Sequence, residues 1–367
     1  MKLNDVCTKG TSNIAQKDLD ARNGTYPIYG ASGFIKNVDF YHQEKPYIAI
    51  VKDGAGVGRV MQLPAKSSVI GTMQYIIPNE GVSVEYLAYA LEHMNLSKYY
   101  LGAAIPHIYF KDYCSETLPN HTLEEQAHIS HVLGLVSNLI FLRKQQLSKL
   151  DELVKARFVE LFGDPVTNPK AWDMPLIEDV VANEKNALKA GPFGSSLKKE
   201  YYVSSGYKIY GQEQVISGDH TFGDYYIDEE RYRTLENCTV QAGDVLISLV
   251  GTYGKLLVMP EEFEPGIINP RLMKITFDKK KVNPYYFQHY FQSDSLRKAL
   301  AENTHGGTMD ILNLGIVRKL AMPLPPLALQ NDFIAFVEQT DKSKFEIQQS
   351  LKKLETLKKA LMQKYFG

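Results

Sequence analysis

Few residue groupings in this chain could carry out chemistry. Asp53-Gly-Ala-Gly-Val-Gly-Arg59 has the glycine density of a loop that cradles a phosphate. Such a loop must pass from a strand into a helix, whose N-terminus holds the anion. Here Pro64 and a second strand-like run follow, so the spacing predicts a tight hairpin turn. A related stretch, Gly251-Thr-Tyr-Gly-Lys255, keeps the glycines without phosphate-loop spacing. His128 and His131 stand three apart on one helix-like stretch, yet no Cys or third His lies nearby to complete a metal site. Asn283-Pro-Tyr-Tyr286 is one proline short of the Asn-Pro-Pro-Tyr element that grips a base for amino-group methylation. An Asn cap followed by Pro in the first helical turn accounts for it without chemistry. Gly-x-Ser-x-Gly, His-Glu-x-x-His and phosphate-loop elements do not occur. The chain is therefore expected to have no catalytic residues, no metal and no cofactor of its own.

The bulk numbers set the remaining bounds. A length of 367 residues predicts two or three domains. With 44% hydrophobic and 23% charged residues the chain can bury a sizeable core. It has no apolar run long enough for a membrane helix, and the first ten residues have no signal-peptide character. Three widely spaced cysteines, Cys7, Cys114 and Cys238, fit a reducing, cytoplasmic compartment. A net charge of −1 means that any nucleic-acid binding must come from a local basic face or from a basic partner.

The elements that would position any site are written twice. Leu118-Pro-Asn-His-Thr-Leu-Glu-Glu-Gln126 returns within Met322-Pro-Leu-Pro-Pro-Leu-Ala-Leu-Gln330, with Pro119 meeting Pro323 and Gln126 meeting Gln330 at an offset of 204. The offset holds without a gap through Phe141 and Phe345, Leu153 and Leu357, to Phe162-Gly163 and Phe366-Gly367. Upstream the echo needs gaps: Tyr26-Pro-Ile-Tyr-Gly30 answers Tyr207-Lys-Ile-Tyr-Gly211, and Val82–Leu87 answers Val282–Phe287. Phe162-Gly-Asp-Pro through Trp172 reads as a helix stop and linker.

Each half thus combines a divergent region with a conservatively repeated helical tail. In the first tail Thr122 and Glu125 form a capping box. Ile129, Leu133, Val136, Ile140, Leu147, Leu150 and Val154 then recur at steps of three and four, broken only by Arg143, as helices packed lengthwise require. Phe333, Val337, Ile347, Leu351, Leu354 and Leu361 do the same in the second, with Thr340, Lys344 and Lys358 interrupting. Some 40 residues at 1.5 Å each make a rod of roughly 60 Å. Upstream, Pro46–Val51 and Asp244–Val250 read as strands, with Val69–Ile77 and Arg271–Phe277 as partners and short helices starting near Ser83 and Asn283.

Two divergent globular regions alternating with two matched helices, with Leu-Phe-Gly-Asp-Pro165, Pro-Leu-Pro-Pro-Leu-Ala-Leu-Gln330 and Gly191-Pro-Phe-Gly-Ser-Ser-Leu-Lys198 in these places, resemble the specificity subunits of type I restriction–modification systems. The resemblance covers essentially the whole chain. It implies an α/β (α+β) fold with an internal pseudo-two-fold repeat. Target-recognition domains would occupy 1–117 and 164–321 (with 164–172 as linker), and antiparallel coiled-coil-like spacer helices 118–163 and 322–367. It further implies recognition of a split, asymmetric site in double-stranded DNA and docking of two methyltransferase subunits and of restriction subunits. S-adenosylmethionine, ATP and Mg would be held by those partners. A stand-alone adenine methyltransferase or nuclease would need a cofactor or metal motif, and a coiled-coil adaptor would not need two large polar-looped domains.

Base readout needs Arg, Lys, Asn, Gln or hydroxyl side chains on loops that enter a groove. The candidates in the first region are Lys36, Asn37, Lys52, Arg59 and His107. In the second they are Ser195, Ser196, Lys198, Lys199, Gln212, Gln214, Lys255 and His305. Helices that space two readers tolerate no gaps, whereas readers of unlike sequences must differ in their loops. Inserting one heptad within 140–155 is expected to lengthen the spacer of the recognised site or abolish activity, with both half-site sequences kept. A changed half-site in a map of modified DNA would contradict this.

Overall fold

The computed structural model describes residues 1–100, 106–249, 254–302 and 312–367. His305, and Gly251 to Tyr253 of the second glycine turn, lie outside the described residues. Contacts divide the chain into two compact units, Met1–Leu147 with Glu346–Gly367, and Ser148–Phe345. The helices Leu123–Phe162 and Leu327–Phe366, each 40 residues, give one part to each unit.

In unit 1 the strands are β1 (Cys7–Thr11), β2 (Tyr26–Gly30), β3 (Gly33–Val38), β4 (Tyr47–Val51), β5 (Val60–Leu63), β6 (Ser68–Val69) and β7 (Met73–Pro78). They form a four-stranded antiparallel sheet, β1-β7-β4-β5, and a three-stranded sheet, β3-β2-β6, with β2 and β6 parallel. In unit 2 the strands are β8 (Leu188–Ala190), β9 (Tyr207–Tyr210), β10 (Tyr226–Ile227), β11 (Val245–Ser248), β12 (Leu256–Val258), β13 (Gly266–Ile268) and β14 (Leu272–Ile275). Their sheets, β8-β14-β11-β12 and β10-β9-β13, repeat both strand orders, again with one parallel pair. Regions whose sequences align only with gaps therefore fold on one plan. The expected strand Val69–Ile77 is divided: Val69 pairs with β2, and only Met73 onward pairs with β4. Gly71 makes the turn between them, its N–H donating to the Ile14 carbonyl at 2.7 Å.

The middle strand β4 is buried at every position, as a strand covered on both faces must be. The two frames are filled differently. Tyr47 and Tyr75 pack at 5.2 Å between ring centroids in unit 1. At the corresponding places of unit 2 stand Asp244 and Lys274, an ion pair at 3.2 Å whose side chains are 0% and 3% exposed. Burial raises the Asp244 pKa against the pull of Lys274. Thr276 and the Gln241 N–H also donate to this carboxylate.

The helical stripes predicted from heptad spacing are the covered faces. Ile129, Leu133 and Val136 are buried in unit 1, and Val154, Phe158 and Phe162 in unit 2. Within unit 1 Ile129 and Leu133 cluster with Met362, while Lys144 pairs with Glu355 at 3.0 Å, so these helix segments run antiparallel. The unit 2 segments do likewise: Asp151 pairs with Lys344 at 2.7 Å and Phe162 packs on Phe333. Lys344, which interrupts the apolar stripe, is accommodated because Asp151 and Asp341 both bind its ammonium.

In each unit the sheet-bearing region meets its long helix through one repeated set of hydrogen bonds. The helix Val84–His93 is capped by Ser83, and Pro284–Phe291 by Asn283 with proline in its first turn. The Ser83 N–H donates to Gln126 Oε1 at 3.0 Å, and the Asn283 N–H to Gln330 Oε1 at 2.9 Å. Gln126 Nε2 donates to the His121 carbonyl and Gln330 Nε2 to the Pro325 carbonyl. Gln330 also reaches the Lys281 carbonyl. Tyr86 and Tyr286 donate to the carbonyls of Pro119 and Pro323. Burial lifts the Tyr86 pKa to about 12, aided by Glu125, and lifts Tyr286 further, so both stay protonated donors. Phe366 packs on Tyr86 at 5.3 Å and Phe162 on Tyr286 at 4.9 Å, closing the two sites alike.

Both glutamines are essentially buried, at 2% and 0% exposure. Leaving their partners unpaired costs roughly 1–3 kcal/mol per group. Gln330→Leu is accordingly expected to destabilise unit 2 by about 3 kcal/mol and to speed hydrogen exchange at the Asn283 amide. Gln126→Leu, which breaks fewer bonds, is expected to act more weakly at Ser83; unchanged exchange at both amides would show the clamps to be idle. For the buried ion pair, Lys274→Met strands a carboxylate and is expected to cost about 3–5 kcal/mol in urea unfolding followed by Trp172 fluorescence. Adding Asp244→Leu should recover most of that loss.

Candidate nucleic-acid interface

In unit 1 the turn after β4 gathers three of the expected residues. Lys52 and Asp53 leave the strand, and the Ile108 N–H donates to the Lys52 carbonyl at 3.0 Å, bringing the segment around His107 alongside. The His107 ring nitrogen pairs with the Asp53 carboxylate, and its ring packs on Tyr109 at 4.1 Å. Lys52 lies 3.9 Å from Asp53. Arg59 closes the hairpin and is exposed, with one guanidinium nitrogen donating to the Ala31 carbonyl at 2.8 Å. Gly58, at φ 84°, has no room for a side chain: a Cβ would lie 2.5 Å from the Ser97 nitrogen. The glycines thus serve a turn that projects basic residues from the end of the sheet. Lys36 and Asn37 lie apart from this group on β3. Asn37 is exposed, while the Lys36 ammonium is bound to the Leu19 carbonyl at 3.0 Å and to Asn23 at 3.1 Å. Lys36 is thereby engaged in holding its own loop.

In unit 2 a cleft of about 910 Å³ opens beside the ends of β9, β13 and β14. Lys199, Gln212, Asn269 and Arg271 line it. Gln212 donates to the Ser248 hydroxyl at 2.8 Å and accepts from Arg271 at 3.4 Å. Ser195 and Ser196 form a short helical turn, Gly194–Ser196, beside Phe193, which is 87% exposed; Lys198 and Lys199 follow, both exposed. Gln214 borders the same cleft but offers it little. It is buried, accepting from the Gly211 N–H and donating to the Phe222 carbonyl, so its amide serves the local fold. Lys255 also points elsewhere, lining a separate cleft of about 600 Å³ with Asp294, Arg297 and Lys344. His128 and His131 are exposed on the outside of their helix.

Sequence reasoning missed Arg271 and Asn269. Arg271 was absorbed into the strand Arg271–Phe277, whereas the strand starts at Leu272 and leaves the arginine at its mouth. The available signal was Asn269-Pro270, a turn immediately before it. Among the described residues no helix is long and apolar enough to cross a membrane.

Comparison with known proteins assigns this architecture. The family model for the type I restriction modification DNA specificity domain matches residues 1–152 and 170–359. The type I restriction enzyme MjaVIII specificity subunit of Methanocaldococcus jannaschii is 22% identical over 356 residues, 89% of this chain and 81% of that protein. Among solved structures, the type I restriction-modification S subunit from M. genitalium aligns with a TM-score of 0.59 at 14% identity, covering 100% of this chain and 95% of that one. A chain from a study of complex assembly and conformational transition in the type I system gives 0.59 at 16% identity, covering 100% and 96%. The chain belongs to the type I restriction–modification specificity family: it is a non-catalytic subunit that recognises DNA within a multi-subunit complex.

Proposed function

We propose that the chain reads a bipartite, asymmetric DNA site, with a recognition domain in 1–117 addressing one half and a second in 164–321 addressing the other. The observation that carries this reading is the combination of one repeated frame with unlike tips. Both units share strand orders and glutamine clamps, while the polar residues at the strand ends differ. Helices 118–163 and 322–367 then set the separation of the two half-sites, since a matched clamp joins each of them to a recognition region.

Two methyltransferase subunits dock on the helices, bring S-adenosylmethionine and methylate adenine; restriction subunits add ATP- and Mg-dependent cleavage. Supporting this, Phe141 and Phe345, 57% and 61% exposed, recur at the repeat offset, as do the exposed Leu153 and Leu357. Duplicated apolar side chains kept in water suit two equivalent partners. The net charge of −1 leaves phosphate neutralisation largely to those partners, so the isolated chain binds DNA weakly. The complex works in the cytoplasm.

Co-expression with the cognate methyltransferase subunit, followed by genome-wide mapping of methylated adenine, is expected to reveal one motif of two unlike halves. Absence of such a motif, or methylation unchanged when this chain is omitted, would overturn the reading.

A further inference from the structure

In both units the strand with the Tyr-x-Ile-Tyr-Gly pattern ends beside the tip of the middle strand. The residue after its glycine is Ala31 in unit 1 and Gln212 in unit 2. Each of these residues receives a hydrogen bond from an exposed arginine: Arg59 donates to the Ala31 carbonyl at 2.8 Å, and Arg271 to Gln212 Oε1 at 3.4 Å.

The two arginines do not correspond in the repeat. The Val51 N–H bonds to the Arg59 carbonyl just as the Ser248 N–H bonds to the Lys255 carbonyl, so Arg59 answers to Lys255. The Lys52 N–H bonds to the Thr72 carbonyl as the Leu249 N–H bonds to that of Arg271, so Arg271 answers to Thr72. The corresponding residue of each domain thus bonds a guanidinium that comes from a different strand end, through its backbone in unit 1 and through its side chain in unit 2. A side chain kept for packing would have stayed at one position of the frame. A charge brought to one residue position of the frame by two routes points instead to a shared ligand.

Resting on the DNA-recognition reading above, we infer that Arg59 and Arg271 are the base-reading arginines of the two domains, each taking a guanine through its major-groove edge. One nitrogen of each planar fork is tied back to the fold, which limits the freedom lost on binding. The remaining N–H donors match guanine O6 and N7. In unit 2 the Gln212 and Asn269 amides and Lys199 line the same cleft, placing further polar groups for neighbouring bases and phosphates.

The test is methylome mapping of Arg59→Ala, Arg271→Ala and their Lys counterparts, each full-length and co-expressed with the cognate methyltransferase subunit. Arg233→Ala, which removes an exposed arginine paired with Glu229, serves as control. Arg271→Ala is expected to relax a single guanine position in one half-site, by roughly tenfold or more, and Arg59→Ala a single guanine in the other. The Lys variants keep the charge but lose the fork, and are expected to relax the same positions while retaining more total methylation. A uniform fall in methylation with an unchanged motif would show phosphate contacts only and overturn the inference, as would half-sites without guanine or an unaltered map. If the unsubstituted chain itself yields no bipartite motif, the DNA-recognition reading fails; if it does and the arginine variants leave both halves intact, only the assignment of the arginines fails.

Discussion

The structure depends on a buried amide. A side-chain glutamine near the start of each long helix satisfies a backbone N–H at the start of a short helix and a carbonyl of the proline-containing loop. Both groups are removed from water, so neither can be left unpaired cheaply. An amide suits this post because it carries donor and acceptor on one planar group. It ties three chain segments together, and with them the direction in which each long helix leaves its recognition region. The tyrosines donating to Pro119 and Pro323 add a second bond at the same joint, while Phe366 and Phe162 exclude water from it.

Around that joint the two recognition regions keep a frame and exchange its contents. The two sheets retain strand order and the sense of each pairing. At corresponding positions a packed tyrosine pair in unit 1 is replaced by a buried carboxylate–ammonium pair in unit 2. The strand tips differ as well, with Arg59 in unit 1 standing where unit 2 has Lys255. The repeated helices show the opposite behaviour. Their heptad faces admit no single-residue insertion, since one residue of slip would turn the buried stripe into solvent.

The readable part of the fold was periodic or duplicated. The stripe from Ile129 to Val154 needed only counting, and Ser83 and Asn283 announced their helices as caps. Val69–Ile77 failed because an apolar run does not reveal that Gly71 turns the chain out of one sheet into another. Among the proposed contact residues, Lys52, Arg59 and His107 were each legible as candidates, but not their convergence, which requires β4 and the segment at 106–109 to meet. Gln214 and Lys36 have side chains typical of readers and spend them inside the fold. No local pattern distinguishes those uses. Arg271 was hidden by the reverse error, a surface residue taken for part of a strand.

What the sequence determined by itself was the plan: two copies, two long helices, their register, and the identity of Gln126 and Gln330 as counterparts. Duplication and periodicity are written in one dimension, and helix faces follow from local geometry alone. Tertiary structure decided what those glutamines do, which sheet each short strand joins, and which basic side chains stand together. Those outcomes depend on contacts between residues far apart in the chain, where a hydrogen bond or an ion pair is settled by distances of a few ångströms that no spacing along the sequence encodes.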